Sequence, residues 1–153
     1  NMAQNACFLL YLKIKKMLKN VSYNDPKVEA DIRKEVGVPF TILKRIELGG
    51  IGSPKLEITA CSKEINNLLI LDNNTNTCNI ELRPIGIIVR FRSLLETYAL
   101  VIPYYKLVLF KGKSNEYAIY KDHFVLKIKI DNRNILSFFK KIMKQKSVFL
   151  TFG

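Results

Sequence analysis

From residue 78 onward, apolar and polar side chains alternate through several consecutive runs, and then the period changes. In Cys78-Asn79-Ile80-Glu81-Leu82-Arg83 successive positions separate into apolar and polar sets; Ile85, Ile87, Val89 and Phe91 continue one face, with Arg90 and Arg92 on the other. A period of two describes a half-buried strand. Tyr98 to Ile102 forms a third run ending at Pro103, which cannot donate to a ladder and marks an edge, a bulge or a strand end. Tyr105 to Lys111 and Glu116 to Tyr120 flank Gly112-Lys113-Ser114-Asn115, a hairpin signal, and Phe124 to Ile130 completes the series with lysines on one face. Asp131 or Asn132 can then accept hydrogen bonds from the first free amides of a helix reaching Gln145. Its Ile135, Phe138, Phe139 and Ile142 make one apolar stripe, and Lys140, Lys141, Lys144 and Lys146 complement the negative end of its dipole.

Upstream, residues 6–21 carry Leu10, Ile14, Met17, Leu18 and Val21 at helical spacing with Lys13, Lys15, Lys16 and Lys19 interleaved. Asn24 or Asp25 before Pro26 opens a second helix that Gly37 closes. Phe40 to Leu48, Lys55 to Cys61 and Leu68 to Leu71 read as further strands, separated by a glycine-rich connection at 49–54 and an Asn-rich turn at 72–77. The expected organisation is an N-terminal helical segment over 1–36, a sheet-plus-helix domain over 37–146 and a tail over 147–153, whose alternation at 147–152 would also suit an edge strand. A chain of 153 residues fits a single domain with its own core. Asn1, ahead of Met2, reads as an expression remnant.

Charge changes the picture. The formal net charge of +12 divides as +4 over residues 1–24, +3 from Arg83, Arg90 and Arg92, +4 over 104–129 and +4 over 140–146, with the rest at −3. Such a field attracts polyanions, whether phospholipid head groups or nucleic acid, although a basic surface also serves solubility alone. The apolar run Ala6 to Leu12 is too short for a bilayer span and precedes its lysines, the wrong order for a secretory signal, so the expected location is cytoplasmic, peripheral to the membrane at most. Cys7, Cys61 and Cys78 are odd in number, far apart and without CxxC spacing. That agrees with a reducing compartment, thiols buried as small hydrophobes and idle sequons at Asn20 and Asn73.

Candidate catalytic motifs fail on inspection. Gly112-Lys113-Ser114 has the tail of a phosphate-binding loop, but Leu107 stands where the earlier glycine belongs, and strands lie on both sides. Gly49-Gly50-Ile51-Gly52 leads to Pro54 and a strand rather than to a helix N-terminus. His123, the only histidine, excludes a multi-histidine metal site and sits in a polar turn, while Glu81 and Glu96 read as ion-pair partners of nearby arginines. The reading is a non-enzymatic protein without cofactor. Aromatics beside basic residues, as in Arg90-Phe91-Arg92 and Tyr104-Tyr105-Lys106, are compatible with single-strand binding and equally with strands that alternate core aromatics and outward cations.

The succession Ile85 to Arg92, Tyr98 to Leu107, Tyr117 to Lys129 and a final helix resembles bacterial pleckstrin-homology-like (PH-like) domains, with Ile102-Pro103-Tyr104-Tyr105-Lys106-Leu107 in the place of their "I-P-Y/L-x-x-I/L" segment. The resemblance implies an α+β fold: a bent antiparallel sheet or partly open barrel of about seven strands, closed by a C-terminal amphipathic helix and preceded here by short helices. Members bind phosphoinositides, peptides or partner domains, so the fold does not select the ligand. Lipid-binding members carry a basic residue, a spacer and basic-x-basic, to which Arg83 with Arg90-Phe91-Arg92 is similar. The expected binding residues are Arg83, Arg90, Arg92, Lys106, Lys127 and Lys129. The expected partner is a protein or an anionic lipid surface; the alternatives are a nucleic-acid-binding domain and a structural domain that forms homo-oligomers.

Overall fold

The computed structural model describes residues 2–71 and 76–152, and for residues 10–17 the backbone only. It is an α+β protein built on one antiparallel sheet of eight strands. In chain order the elements are α1 (Met2–Met17), β1 (Leu18–Asn20), α2 (Pro26–Val36), α3 (Ile42–Glu47), β2 (Leu56–Cys61), α4 (Lys63–Leu69), β3 (Thr77–Arg83), β4 (Gly86–Ser93), β5 (Glu96–Pro103), β6 (Val108–Lys111), β7 (Glu116–Lys121), β8 (Phe124–Lys129) and α5 (Arg133–Phe152). The spatial order is β1-β5-β4-β3-β2-β8-β7-β6, so β1 and β6 are edges and the sheet does not close into a barrel.

Two three-stranded meanders, β3-β4-β5 and β6-β7-β8, meet at β2. Leu56 and Glu57 pair with Cys78 and Thr77 of β3, whereas Ile58, Ala60 and Cys61 pair with Ile128, Lys127 and Leu126 of β8. A register shift between Ile58 and Ala60 separates the two sets, the kind of irregularity that bends a strand and increases its twist. Each meander turns through tight hairpins: Arg83 faces Gly86, Ser93 faces Glu96, and Lys121 faces Phe124. The inward positions of the strands, Ile80, Leu82, Ile87, Val89, Leu100, Ile119, Leu126 and Ile128 among them, share one core with Ile135, Phe138, Phe139 and Ile142 of α5. The Phe139 ring stacks on Tyr117 at 4.5 Å between centroids. Asn132 starts that helix, its side chain accepting from the Ile135 amide at 3.0 Å.

Several sequence expectations are corrected. Leu18 and Val21 leave the first helix: Leu18 to Asn20 instead pair with Leu100 to Tyr98 as an eighth strand, because the exposed edge of β5 supplies a ladder that an isolated helical turn lacks. Phe40 to Leu48 is no strand. Thr41 caps the short helix α3 by accepting from the Lys44 amide at 3.3 Å, and Ile42, Leu43 and Ile46 are exposed. Leu68 and Leu69 lie in α4 and Ile70 follows as its cap, with Ile65 and Leu69 buried at helical spacing. Ile85 occupies a hairpin turn, and β6 starts only at Val108, because the Leu107 amide folds back to the Pro103 carbonyl. Residues 147–152 continue α5 rather than forming a tail or edge strand. Most of the Asn-rich turn lies outside the described residues. Cys7 is exposed rather than buried, whereas Cys78 is buried and its thiol pushed up to about 12 by desolvation.

The largest departure lies on the far face of β4 and β5. Alternation there predicts outward positions, yet Ile88, Ala99 and Val101 are buried under Ile32 and Val36 of α2, a second small core. The boundaries of α2 follow the local chemistry: Asp25 accepts from the Lys27 amide at 2.9 Å, Pro26 opens the helix and Gly37 closes it at φ 87°. Its end seats against Gly86, where an added Cβ would lie 2.5 Å from both the Ile102 carbonyl oxygen and Val36 Cγ1. Part of the 1–36 segment therefore packs on the sheet.

Candidate functional site

The helix α2 covers Ile88 and leaves the next outward positions of β4, Arg90 and Arg92, in the open. These two lie on one face because positions two apart on a strand point the same way. Arg90 Nη1 contacts Glu81 Oε1 on β3 at 3.2 Å. Glu81 also receives Arg83 Nε, so one carboxylate serves two guanidiniums. Burial by itself would push the Glu81 carboxyl up; the Arg83 hydrogen bond and the charges of Arg90 and Arg83 outweigh it and hold the group below its ordinary value. Arg92 is exposed and has no ion-pair or hydrogen-bond partner among the described residues.

Arg90 and Arg92 line a groove of about 660 Å³ together with Lys55, Asn79, Leu94 and Leu95, and none of the described residues that line it is a carboxylate. Lys55 stands at the entry to β2 and is exposed. The hairpin at the groove's end consists of Leu94 and Leu95, which are 57% and 89% exposed. Leu94 has φ 56°, a left-handed conformation that costs a side-chain-bearing residue roughly 1–2 kcal/mol. Tight hairpins normally place glycine or asparagine there. Behind the hairpin, the buried Ser93 hydroxyl donates to the Leu68 carbonyl, which fixes the end of α4 beside it, and the next residues, Ile70 and Leu71, are also exposed. An aliphatic tip thus adjoins a cationic groove.

The other expected binding residues fall elsewhere. Arg83 is internal: besides Glu81, its Nη1 donates to the Gly37 carbonyl at 3.1 Å, tying the end of α2 to β3. Lys106, in the turn after β5, pairs with Asp122 at 3.6 Å. Lys127 and Lys129 lie on the outer face of β8 in the other meander, Lys129 with Glu57 at 3.6 Å. Of the six, the structure brings Arg90 and Arg92 together in the groove and keeps the rest out of it. Glu96 accepts from Asn20 Nδ2 and from the Tyr98 hydroxyl, both at 2.9 Å, rather than from an arginine. His123 stacks on Phe124 and lies 3.4 Å from Glu64, in the two-residue turn between β7 and β8.

Sequence reasoning missed Lys55, Leu94 and Leu95. A pair of leucines inside a two-residue turn was the available signal, since such loops are otherwise polar or glycine-rich. It also missed two lysines that are not surface charges at all. Lys121 is 4% exposed, donates to the Val101 carbonyl at the rim of β5 and lies 3.7 Å from Glu35 of α2. Lys19, also buried, lies 3.6 Å from Asp31 and 3.9 Å from the same Glu35.

Among the described residues, no group of three or more His, Cys, Asp or Glu side chains is placed to hold a metal ion, and no helix is long and apolar enough to cross a membrane. Comparison with family models, curated proteins and solved structures finds no match to the chain.

Proposed function

We propose that this chain is a non-enzymatic, PH-like binding module that docks reversibly on an anionic membrane surface through the β4–β5 end of its sheet. The order of elements supports the PH-like reading: two antiparallel meanders are joined through a bent strand and filled by a C-terminal amphipathic helix. The observation that carries the membrane reading is the exposed Leu94-Leu95 tip beside a groove whose described lining residues include three cations and no carboxylate. A bilayer interface offers both halves of the complementary chemistry, an apolar layer under an anionic one.

The magnitudes suit a reversible contact. Two leucines withdrawn from water contribute about 2 kcal/mol each, and Lys55, Arg90 and Arg92 about 1 kcal/mol each near an anionic leaflet. The gross sum of about 7 kcal/mol corresponds to binding between millimolar and micromolar. Nucleic acid fits the cations but not the tip: Phe91, the one aromatic among the groove's described lining residues, is buried, and bases stack on exposed rings.

The test is co-sedimentation with neutral phosphatidylcholine vesicles and with vesicles containing phosphatidylserine, at low and high salt, with unrelated nucleic acid as competitor. Salt-sensitive sedimentation confined to the anionic vesicles and surviving the competitor is the expected result. No sedimentation, or displacement by the competitor, would overturn the proposal.

A further inference from the structure

The two edges of the sheet are finished differently. Edge β1 is three residues long and flanked by α2, with the rim of β5 beyond it occupied by the Lys121 ammonium. Among the described residues, nothing covers edge β6 in this way. Its Val108 and Phe110 are exposed on the outer face, while Leu109 on the inner face lines a groove of about 390 Å³ against Met143, Lys146, Ser147 and Leu150 of α5. Gly112 N–H donates to the Glu116 carbonyl at 2.9 Å, which sets the alternation of the β6–β7 ladder. The pairs at Phe110 and Val108 are therefore the hydrogen-bonded ones, and the amides and carbonyls of Leu109 and Lys111 point to the open edge.

An edge with free ladder groups and an apolar groove beside it is a template for an added strand. The charges around it select the kind of strand. Lys111 and Lys113 flank the edge, Lys146 lines the groove, and neither 106–115 nor the whole of α5 contains an Asp or Glu. A second copy paired edge to edge would set these lysines against each other, so the complementary occupant is a different chain with acidic side chains. We infer that β6 and the C-terminal half of α5 accept an extended acidic segment of a partner protein. It adds as a strand beyond β6, and the side chains of its groove-facing positions alternate in kind: apolar ones meet Leu109 and Leu150, and carboxylates meet Lys111, which shares the inner face with Leu109, and Lys146, whose ammonium also donates to the Leu107 carbonyl. This surface is separate from the Leu94-Leu95 end and does not depend on the membrane reading.

The experiment uses the full chain and a labelled synthetic peptide whose groove-facing positions are alternately valine and glutamate and whose outward positions are threonine, read by fluorescence anisotropy, with a peptide of the same length carrying lysine for glutamate as control. Proline at an edge position whose amide faces outward removes a donor without touching the inner ladder. Lys111→Pro is compared with Lys111→Ala, which removes the charge alone, and Leu150→Asp places a carboxylate in the groove. The expected result is binding of the acidic peptide only, weakened about tenfold more by Lys111→Pro than by Lys111→Ala and about tenfold by Leu150→Asp. Should Lys111→Pro unfold, Leu150→Asp together with slowed amide exchange at Leu109 on peptide addition decides the matter. Equal binding of both peptides, no binding, binding indifferent to Leu150→Asp, or a homodimer that Leu150→Asp dissociates would overturn the inference.

Discussion

Two groups of cations on this protein meet opposite fates. Around the end of α2, Lys19, Arg83 and Lys121 are buried and spent on internal partners: Asp31 and Glu35, Glu81 and the Gly37 carbonyl, Glu35 and the Val101 carbonyl. At the β4–β5 end, Lys55 and Arg92 remain exposed, and Arg90 shares a single carboxylate. The first group fixes where a helix and an edge strand sit; the second leaves a field that reaches into solvent. A strongly basic chain can spend part of its charge on internal partners, so the field it presents to solvent depends on pairing as well as on number.

The largest effects should come from the internal group. Arg83→Met leaves the half-buried Glu81 with Arg90 alone and the Gly37 carbonyl without its donor, and a loss of about 3 kcal/mol is expected in urea unfolding. Lys55→Met should fall within about 0.5 kcal/mol of the parent. Equal costs for the two would erase the contrast. On vesicles the order reverses. Lys55→Ala with Arg92→Ala should weaken anionic-vesicle binding about 30-fold, at about 1 kcal/mol per cation, whereas a folded Lys121→Met protein should bind as the parent does.

Acid titration sharpens the comparison through Glu81, which belongs to both groups. Its carboxyl lies below the ordinary 4.5, because Arg83 and Arg90 together outweigh the opposing effect of burial. The stabilisation is therefore fully present above the unfolded value and is lost as pH falls through the lower folded one. Glu81→Gln should flatten that acid limb of stability. Lys121 has the opposite origin: burial, the largest influence, lowers its ammonium below 10.5 despite Glu35. The unfolded chain then holds the proton more tightly, so stability relative to Lys121→Met rises with pH between the lowered folded value and 10.5. A smaller effect than that of Arg83→Met, and of opposite sign, belongs to Leu94→Gly. Relief at φ 56° should raise stability by up to about 1 kcal/mol while membrane affinity falls, a separation that a purely structural hairpin would not give.

The meanders and α5 were legible because their period is local: alternation at 78–130 and the stripe from Ile135 to Ile142 hold whatever surrounds them. Short apolar runs were not. Phe40 to Leu48 and Leu68 to Leu71 fit either period, and capping by Thr41 and burial of Ile65 and Leu69 decided for helix. The second core was hidden because Ile88 and Val101 look like lapses in alternation until α2 is placed over them. The site was half legible: Arg90 and Arg92 share a face by strand geometry alone. That Arg83 turns inward and Lys55 joins the groove depends on contacts of Arg83 with Gly37, and of the groove with β2, that lie far apart in sequence.

The most direct measurement uses the absence of tryptophan from the chain. Leu95→Trp places a single reporter on the tip, whose emission is followed as phosphatidylserine-containing or neutral vesicles are added. Membrane docking through the β4–β5 end predicts a blue shift, with quenching by lipids labelled near the head group, on anionic vesicles alone. Sedimentation with those vesicles while the emission stays that of a water-exposed ring would contradict it.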